Sequence, residues 1–150
     1  MKKLLIMMIV SCLMMICSVS FAGDDHKALA KQQVVAEKLM NAFSTVEPAP
    51  LYTEVSAGFA PEMKKAVTEE AFAELKKQVR QKFGSMKESK FFTFQRFDQA
   101  DRVTYIASFS KEKIVSMIFA FDKKNKLVDF AFTPVQQPAA KPAAKAEAAN

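Results

Sequence analysis

The sequence predicts an α+β domain in which N-terminal helices pack on one face of a four-stranded antiparallel sheet. Apolar residues recur every three or four positions as far as Phe83, which is the period of an amphipathic helix, and every second position after Gly84, which is the period of a strand. The predicted strands are joined by short polar connections, which only antiparallel neighbours can accept. Helices followed by strands is the order typical of the α+β class.

The first 22 residues have the pattern of a secretory signal peptide. Lys2 and Lys3 precede an apolar stretch, and a small-x-small triplet ends at Ala22, so we expect cleavage after Ala22 and export to the periplasm or the cell exterior. Two alternatives remain open. The apolar stretch is about long enough for an uncleaved membrane anchor, and the residues before Cys12 resemble a lipobox, which would make Cys12 a lipidation site.

The chain after the predicted leader divides into one domain, over 23–135, and a tail, over 136–150. The tail is rich in Ala, Pro and Lys and lacks the apolar side chains of a core, so we expect it to be disordered. Without Lys2 and Lys3 the net charge of +6 falls by two, and this mild lysine excess is typical of a solvated surface rather than of nucleic-acid binding. We therefore predict no nucleic-acid partner and no stable membrane span after cleavage.

The first predicted helix runs from about residue 24 to 44. Asp24 and Asp25 suit its N-terminus. Its polar face includes Lys31, Gln32, Glu37 and Lys38, and its apolar stripe consists of Ala28, Val35, Ala36, Leu39, Met40 and Phe43. Two prolines, at 48 and 50, end this helix, and a short turn of helix is expected at residues 51–52.

Two further helices are predicted before the sheet. Pro61 suits the first position of a short helix. Thr68 suits the N-cap of a longer one, whose apolar face is Phe72, Leu75, Val79 and Phe83. Gly84 follows as the expected left-handed residue that ends it.

Four strands are predicted over residues 90–100, 102–110, 113–122 and 126–133. Short antiparallel connections make them a meander. Each of the last three strands carries one apolar row; the rows are Val103, Tyr105, Ala107 and Phe109; Val115, Met117, Phe119 and Phe121; and Val128, Phe130 and Phe132.

The residues that most enzymes and metal sites require are nearly absent. Both cysteines, Cys12 and Cys17, lie in the predicted leader, His26 is the one histidine, and no Gly-x-Ser-x-Gly motif or phosphate-binding glycine loop occurs. One histidine without a cysteine cannot supply ordinary zinc ligands, so we expect no metal site and no cofactor. For acid–base catalysis the remaining candidates are Asp129 and Tyr105. The alternative interpretation of Asp129 is an outward-facing acid on a half-solvated sheet.

Phenylalanine is unusually frequent in the predicted strands, which hold nine of the fourteen in the chain. This is more aromatic surface than one helix-covered face obviously needs. We therefore consider Phe92, Phe94, Phe119 and Phe130 as candidates for lining an apolar ligand pocket. The alternatives are a well-filled core and a dimer face.

One segment of the chain resembles a known family. The stretches Leu51-Tyr52, Phe59-x-Pro61-Glu62-Met63-Lys64 and Thr68-Glu69-Glu70, with Gly84 and the strands that follow, resemble the DUF3887 family of secreted domains of unknown function over residues 27–134. That family is similar to the NTF2-like, cone-shaped α+β domains, in which helices cover a curved sheet. The resemblance implies a domain that binds small molecules, dimerises or, less often, catalyses, and it implies no catalytic residue.

The sequence leaves three functions open. The first is an exported, non-catalytic binding or accessory domain for a small apolar ligand or an envelope protein, and we prefer it because the usual catalytic residues are missing. The second is a cone-type enzyme that uses Asp129 and Tyr105 for proton transfer on a small apolar substrate. The third is a self-associating envelope protein, such as a homodimer, whose sheet face is the interface.

Overall fold

Four helices precede four strands in the computed structural model, which describes residues 24–45 and 47–135. The elements are α1 (Asp24–Asn41), α2 (Tyr52–Ser56), α3 (Pro61–Ala66), α4 (Glu69–Phe83), β1 (Met86–Arg96), β2 (Asp101–Phe109), β3 (Val115–Phe121) and β4 (Leu127–Pro134). This order confirms the predicted α+β class. The predicted signal peptide and tail lie outside the described residues and stay predictions.

The strands form one sheet in the order β1-β2-β3-β4, with every neighbouring pair antiparallel. This is the predicted meander. Paired residues share a face of the sheet, and the register places Phe91, Tyr105, Met117 and Phe132 in one row across all four strands. We call the face that carries this row the inner face, and the opposite one the outer face.

The core lies between the inner face and the helices. The predicted rows of β2 and β3 are buried, and Phe119 and Phe121 are fully enclosed. The predicted apolar stripes of α1 and α4 face this core, although Val35 and Leu75 are only partly buried. Burying these side chains supplies most of the free energy that opposes the loss of chain entropy on folding.

Helix α4 has the ends that the sequence predicts. The Thr68 hydroxyl accepts a hydrogen bond from the Ala71 N–H at 3.3 Å, as an N-cap does. Gly84 has a φ of +84°, in the region that favours glycine, and its N–H donates to the Arg80 carbonyl. A Cβ at Gly84 would also lie 1.9 Å from the Ser110 Oγ, which would have to rotate away, so the positive φ is the main reason for glycine here.

The predicted first strand is wrong at both ends. It begins at Met86 instead of 90, because β2 continues to Phe109 and Met86 pairs with that residue. It ends at Arg96, and the connection is the turn 97–100, which is closed by the Phe97 N–H donating to the Ala100 carbonyl at 2.9 Å. Asp101, which the sequence placed in the connection, is the first residue of β2 and pairs with Arg96.

The predicted row of the last strand is wrong at Val128. Phe121 pairs with Leu127 and Ala120 with Asp129, so Val128 is the extra residue of a bulge and is exposed. The inner row of β4 is therefore Leu127, Phe130 and Phe132. Phe92 occupies a similar irregularity in β1, between two paired neighbours.

The segment between α2 and α3 is joined to the sheet through its backbone. The Ala60 N–H donates to the Leu127 carbonyl at 2.8 Å, and the Leu127 N–H donates to the Gly58 carbonyl at 2.9 Å. On its other side Gly58 contacts α1 so closely that a Cβ there would lie 2.5 Å from a methyl carbon of Val35. Among the described residues, no helix has the length and apolar content that crossing a membrane requires.

Candidate functional site

A buried carboxylate lies at the end of the sheet where α1 begins. Asp101, the first residue of β2, is 1% exposed. Its carboxylate accepts hydrogen bonds from the Lys123 Nζ at 2.9 Å and the Gln32 Nε2 at 2.8 Å, and the Arg96 Nε lies 3.5 Å away. Two cations and a donating amide therefore compensate the cost of removing this charge from water.

The same contacts continue into the N-terminal helix and the β3–β4 turn. Gln32 also donates to the Asn125 Oδ1 at 2.9 Å, and Arg96 pairs with the largely buried Asp25 of α1. The cluster contains two carboxylates, Asp25 and Asp101, and two cations, Arg96 and Lys123. Its contacts join α1, the β1–β2 hairpin and the β3–β4 turn. We assign it a structural role, because its charged groups are paired with one another.

Gln32 lies on the buried side of α1, so its predicted place on the polar face of the first helix is wrong. Gln32 is 0% exposed. Its position, four residues after Ala28 and four before Ala36, is on the apolar stripe, and this spacing is the signal that could have found it. Its buried amide donates a hydrogen bond to Asp101, which lies 69 positions away in the sequence.

Tyr105 lies on the inner face, between α1 and the sheet, and is 4% exposed. Its ring meets those of Phe91 and Phe119 edge-on, and its buried hydroxyl makes no hydrogen bond of good geometry among the described residues, although the Gln33 side chain lies close to it. Burial, with the nearby negative charge of Glu37, raises the pKa of Tyr105 to about 12, against a smaller opposing effect of Gln33. The phenol is therefore neutral at physiological pH and suited to donate a hydrogen bond rather than to act as a base.

Asp129 lies on the outer face, opposite to Tyr105. It pairs with Ala120, is exposed, and accepts a hydrogen bond from the Phe130 N–H at 2.8 Å. Since the two candidate side chains leave the sheet on opposite sides, the structure does not bring Asp129 and Tyr105 into one pocket. Arg96, at the end of β1, is paired with Asp25 and Asp101 and joins neither Asp129 nor Tyr105.

The four candidate phenylalanines do not form one pocket lining either. Phe119 is fully buried in the core, and Phe92 projects from its bulge with 66% of its surface exposed. Phe94 and Phe130 are partly buried against the core, but they lie at opposite edges of the sheet, on β1 and β4. The helices enclose the inner rows of the two central strands and leave those of the edge strands partly open.

An apolar groove follows from this incomplete cover at β4. It lies between α4 and the edge strand β4 and has a volume of about 210 Å³. Its lining is Leu75, Val79, Phe83, Phe130, Ala131 and Phe132, with Gln78 and Lys82 beside them. The Lys82 Nζ lies 5.1 Å from the centre of the Phe83 ring. Residues 24–45 and 47–135 hold no group of three or more His, Cys, Asp or Glu side chains that could bind a metal ion.

Comparison with known proteins identifies the family. The model of the DUF3887 family, described as proteins of unknown function, matches residues 49–130, which is more than half of the chain. No curated protein and no solved structure matched. The matched range includes α2 to α4, the first three strands and the groove residue Phe130, whereas α1 precedes it. The wider similarity to NTF2-like domains stays an expectation. The chain belongs to the DUF3887 family of proteins of unknown function.

Proposed function

We propose that this protein is an exported, non-catalytic binding domain whose α4–β4 groove takes a small apolar molecule that carries one negative group. The observation that carries the proposal is the partial exposure of Phe130 and Phe132, although both project from the inner face of the sheet. Export is supported by the pattern of the first 22 residues.

The lining of the groove favours an apolar ligand. Its walls are an aliphatic pair from α4, Leu75 and Val79, and aromatic rings from both α4 and β4. Each Å² of apolar surface that a ligand removes from water here contributes roughly 25 cal/mol. The volume of about 210 Å³ suits a short alkyl chain or a single ring rather than a folded partner.

Lys82 favours a negative group on that ligand. Among the described residues no carboxylate lies within ion-pair distance of the Lys82 Nζ, whereas Lys77, five residues earlier on the same helix, is paired with Glu74 at 3.7 Å. A carboxylate at the edge of the groove could approach the Lys82 ammonium without displacing an existing partner. Such an exposed pair contributes little energy and mainly orients the ligand.

A binding role is also favoured over catalysis by the placement of the acid–base candidates. Proton transfer in one pocket requires both groups within hydrogen-bond reach of the same substrate. Asp129 and Tyr105 lie on opposite faces of the sheet, and the Tyr105 hydroxyl is buried.

The groove can be tested with decanoate as the probe, by recording protein NMR spectra during a titration. We expect resonances of α4 and β4 to shift, and we expect Phe130→Ala and Lys82→Gln each to weaken binding several-fold. Phe92→Ala is the matched control, because it removes an exposed ring from the other edge strand. Shifts that are absent, or that are equally sensitive to Phe92→Ala, would contradict a ligand site in the groove.

A further inference from the structure

We propose that a notch between the end of α1 and α4 binds a phosphate group through three basic side chains. The notch has a volume of about 100 Å³, against about 210 Å³ for the α4–β4 groove. The two linings share only Val79, because the notch lies on the other flank of α4, so the proposal is independent of the proposed function. The lining of the notch includes Ala42, Phe43, Lys76, Lys77, Val79 and Arg80.

The spacing of the three basic residues along α4 brings their side chains together. Lys77 and Arg80 are three positions apart, and Lys76 and Arg80 are four, so they are neighbours on successive turns of the helix. Lys76 is partly buried, whereas Lys77 and Arg80 are exposed. Like charges at these spacings destabilise a helix slightly, and an anion bound between them would relieve that repulsion.

Acidic side chains leave most of this positive charge uncompensated. Lys77 is paired with Glu74 at 3.7 Å. In the part of the chain that the structure describes, no carboxylate lies within ion-pair distance of Lys76 or Arg80. The notch therefore has two positive charges in excess, which matches the charge of about −1.5 to −2 that a phosphate monoester carries at pH 7.

The end of α4 does not account for this cluster of cations. A helix C-terminus attracts positive charge only within its last turn, and that turn includes Arg80 but neither lysine of the notch. The carbonyl groups at this end also have donors already. The Arg80 carbonyl accepts from the Gly84 N–H, and the carbonyls of Gln81 and Phe83 accept from the side chain and the backbone of Lys111.

The apolar side of the notch strengthens the attraction between its cations and an anion. Ala42 and Phe43, which follow α1, and Val79 of α4 are all buried there. Such a wall excludes water from one side of a bound anion and lowers the local dielectric constant. Each pair of opposite charges therefore contributes more than it would in open water.

The number of cations favours a tetrahedral oxyanion over a planar carboxylate. A phosphate group offers three acceptor oxygens, one for each basic side chain, whereas a carboxylate has two. The Arg80 guanidinium has the geometry to donate two parallel hydrogen bonds to a phosphate, and the two ammonium groups add point charges. The volume of about 100 Å³ suits this one group, so the remainder of a phosphorylated ligand would lie outside the notch.

Protein NMR spectra of the exported protein, recorded while inorganic phosphate is added at constant ionic strength, test the site. We expect the amide resonances of Lys76, Arg80 and Gly84 to shift, with a Kd on the order of 1 mM. Lys76→Gln and Arg80→Gln should each weaken binding by about fivefold or more, because each removes a charge that faces the anion. Lys65→Gln, which changes an exposed lysine of α3, is the matched control and should leave the Kd unchanged.

Two further probes identify the source of the phosphate group. Vesicles that contain phosphatidic acid present a phosphate monoester at a membrane surface, and vesicles of phosphatidylcholine alone are their control. Cosedimentation with the first kind only, and its loss in Arg80→Gln, would assign the notch to a lipid headgroup. Binding of inorganic phosphate without cosedimentation would assign it to a soluble phosphorylated molecule.

Three results would overturn the proposal. The first is the absence of shifts with phosphate, or shifts that sodium chloride at the same ionic strength reproduces, because these report only screening. The second is phosphate binding that neither Lys76→Gln nor Arg80→Gln weakens. The third is acetate bound as tightly as phosphate, since the three cations should distinguish a tetrahedral group from a planar one. Matching circular dichroism spectra of all variants show that any loss of binding is not a loss of fold.

Discussion

Gln32 and Tyr105 each bury a polar atom that has no hydrogen-bond partner among the described residues, the Gln32 Oε1 and the Tyr105 hydroxyl. Each such atom loses its hydrogen bonds to water on folding and costs about 1–3 kcal/mol. The two residues differ in what they gain in return. The amide nitrogen of Gln32 donates hydrogen bonds to Asp101 and to Asn125, whereas the stabilising contacts of Tyr105 are those of its ring.

Tyr105 makes the stability of the protein depend on alkaline pH. Its pKa of about 12 in the folded state is above the ordinary value of 10.0, so the folded state retains a proton that the unfolded state releases. The associated stability is complete below pH 10 and is lost as the pH rises from about 10 to 12, by about 2 kcal/mol. Urea unfolding of the wild type and of Tyr105→Phe across this range should show the difference, because the titration of lysines is common to both.

Tyr105→Phe also provides its own control at neutral pH. It removes a hydroxyl without a partner and keeps the ring contacts, so its stability at pH 7 should be within about 1 kcal/mol of the wild type. A parallel pH dependence of the two proteins above pH 10 would show that the Tyr105 hydroxyl does not titrate as described.

Among the charged residues, Asp101 should be the one whose substitution lowers the free energy of unfolding most. Asp101→Asn keeps the size of the side chain but removes the charge that faces Arg96 and Lys123, and we expect a loss of about 2–4 kcal/mol in the free energy of unfolding. Asp98→Asn, in the exposed turn before it, should change that free energy by less than about 0.5 kcal/mol. Equal effects of the two substitutions in chemical denaturation would contradict the role given to the cluster.

For each helix and strand, the sequence predicts the ends and faces that residues close in the sequence determine. Helix α4 is predicted with both ends, because its cap, its apolar face and its final glycine all lie within residues 68–84. The start of β1 and the bulge at Val128 were not predicted, because they depend on the strand that pairs alongside. The Asp101 cluster has the same origin, since its hydrogen bonds join residues 22, 69 and 93 positions apart.

Gly84 tests the end of α4. Gly84→Ala should destabilise the protein by about 2–4 kcal/mol, because alanine is strained at positive φ and its Cβ would displace the Ser110 hydroxyl, which accepts a hydrogen bond from the Ser85 N–H. Thr68→Ala, at the other end of the helix, should cost only about 1 kcal/mol through loss of the cap. Thermal unfolding of both variants shows which substitution destabilises the protein more. A Gly84→Ala protein as stable as the wild type would contradict the positive φ described for Gly84.

One core joins the helices to the sheet; its buried cluster extends from Ala36 to Leu127, and Leu29, Phe130 and Phe132 pack against it. The predicted leader and tail, which lie outside the described residues, were interpreted from composition and local pattern alone. The sequence could indicate a leader and a tail there, because charge, apolar length and proline content are local properties. It could not indicate a ligand, because the groove depends on how far a helix layer extends over a sheet.

The predicted leader has a direct test in the intact mass of the exported protein. We expect a chain that begins at Gly23, because the small-x-small pattern ends at Ala22. A mass that begins at Met1 would indicate a retained anchor, and a lipid adduct on Cys12 would indicate a lipoprotein. Either mass would contradict cleavage after Ala22.

The backbone contacts between Gly58, Ala60 and Leu127 have a consequence for the order of folding. During synthesis the α2–α3 segment leaves the ribosome long before its partner at Leu127, and the enclosed residues of β2 and β3 also follow it. Until then the helices have only one another to pack against and lack the sheet that covers most of their apolar residues, and isolated helices of this length are marginal in water. The α2–α3 segment therefore gains its backbone contacts with the sheet only when β4, the last strand, is available.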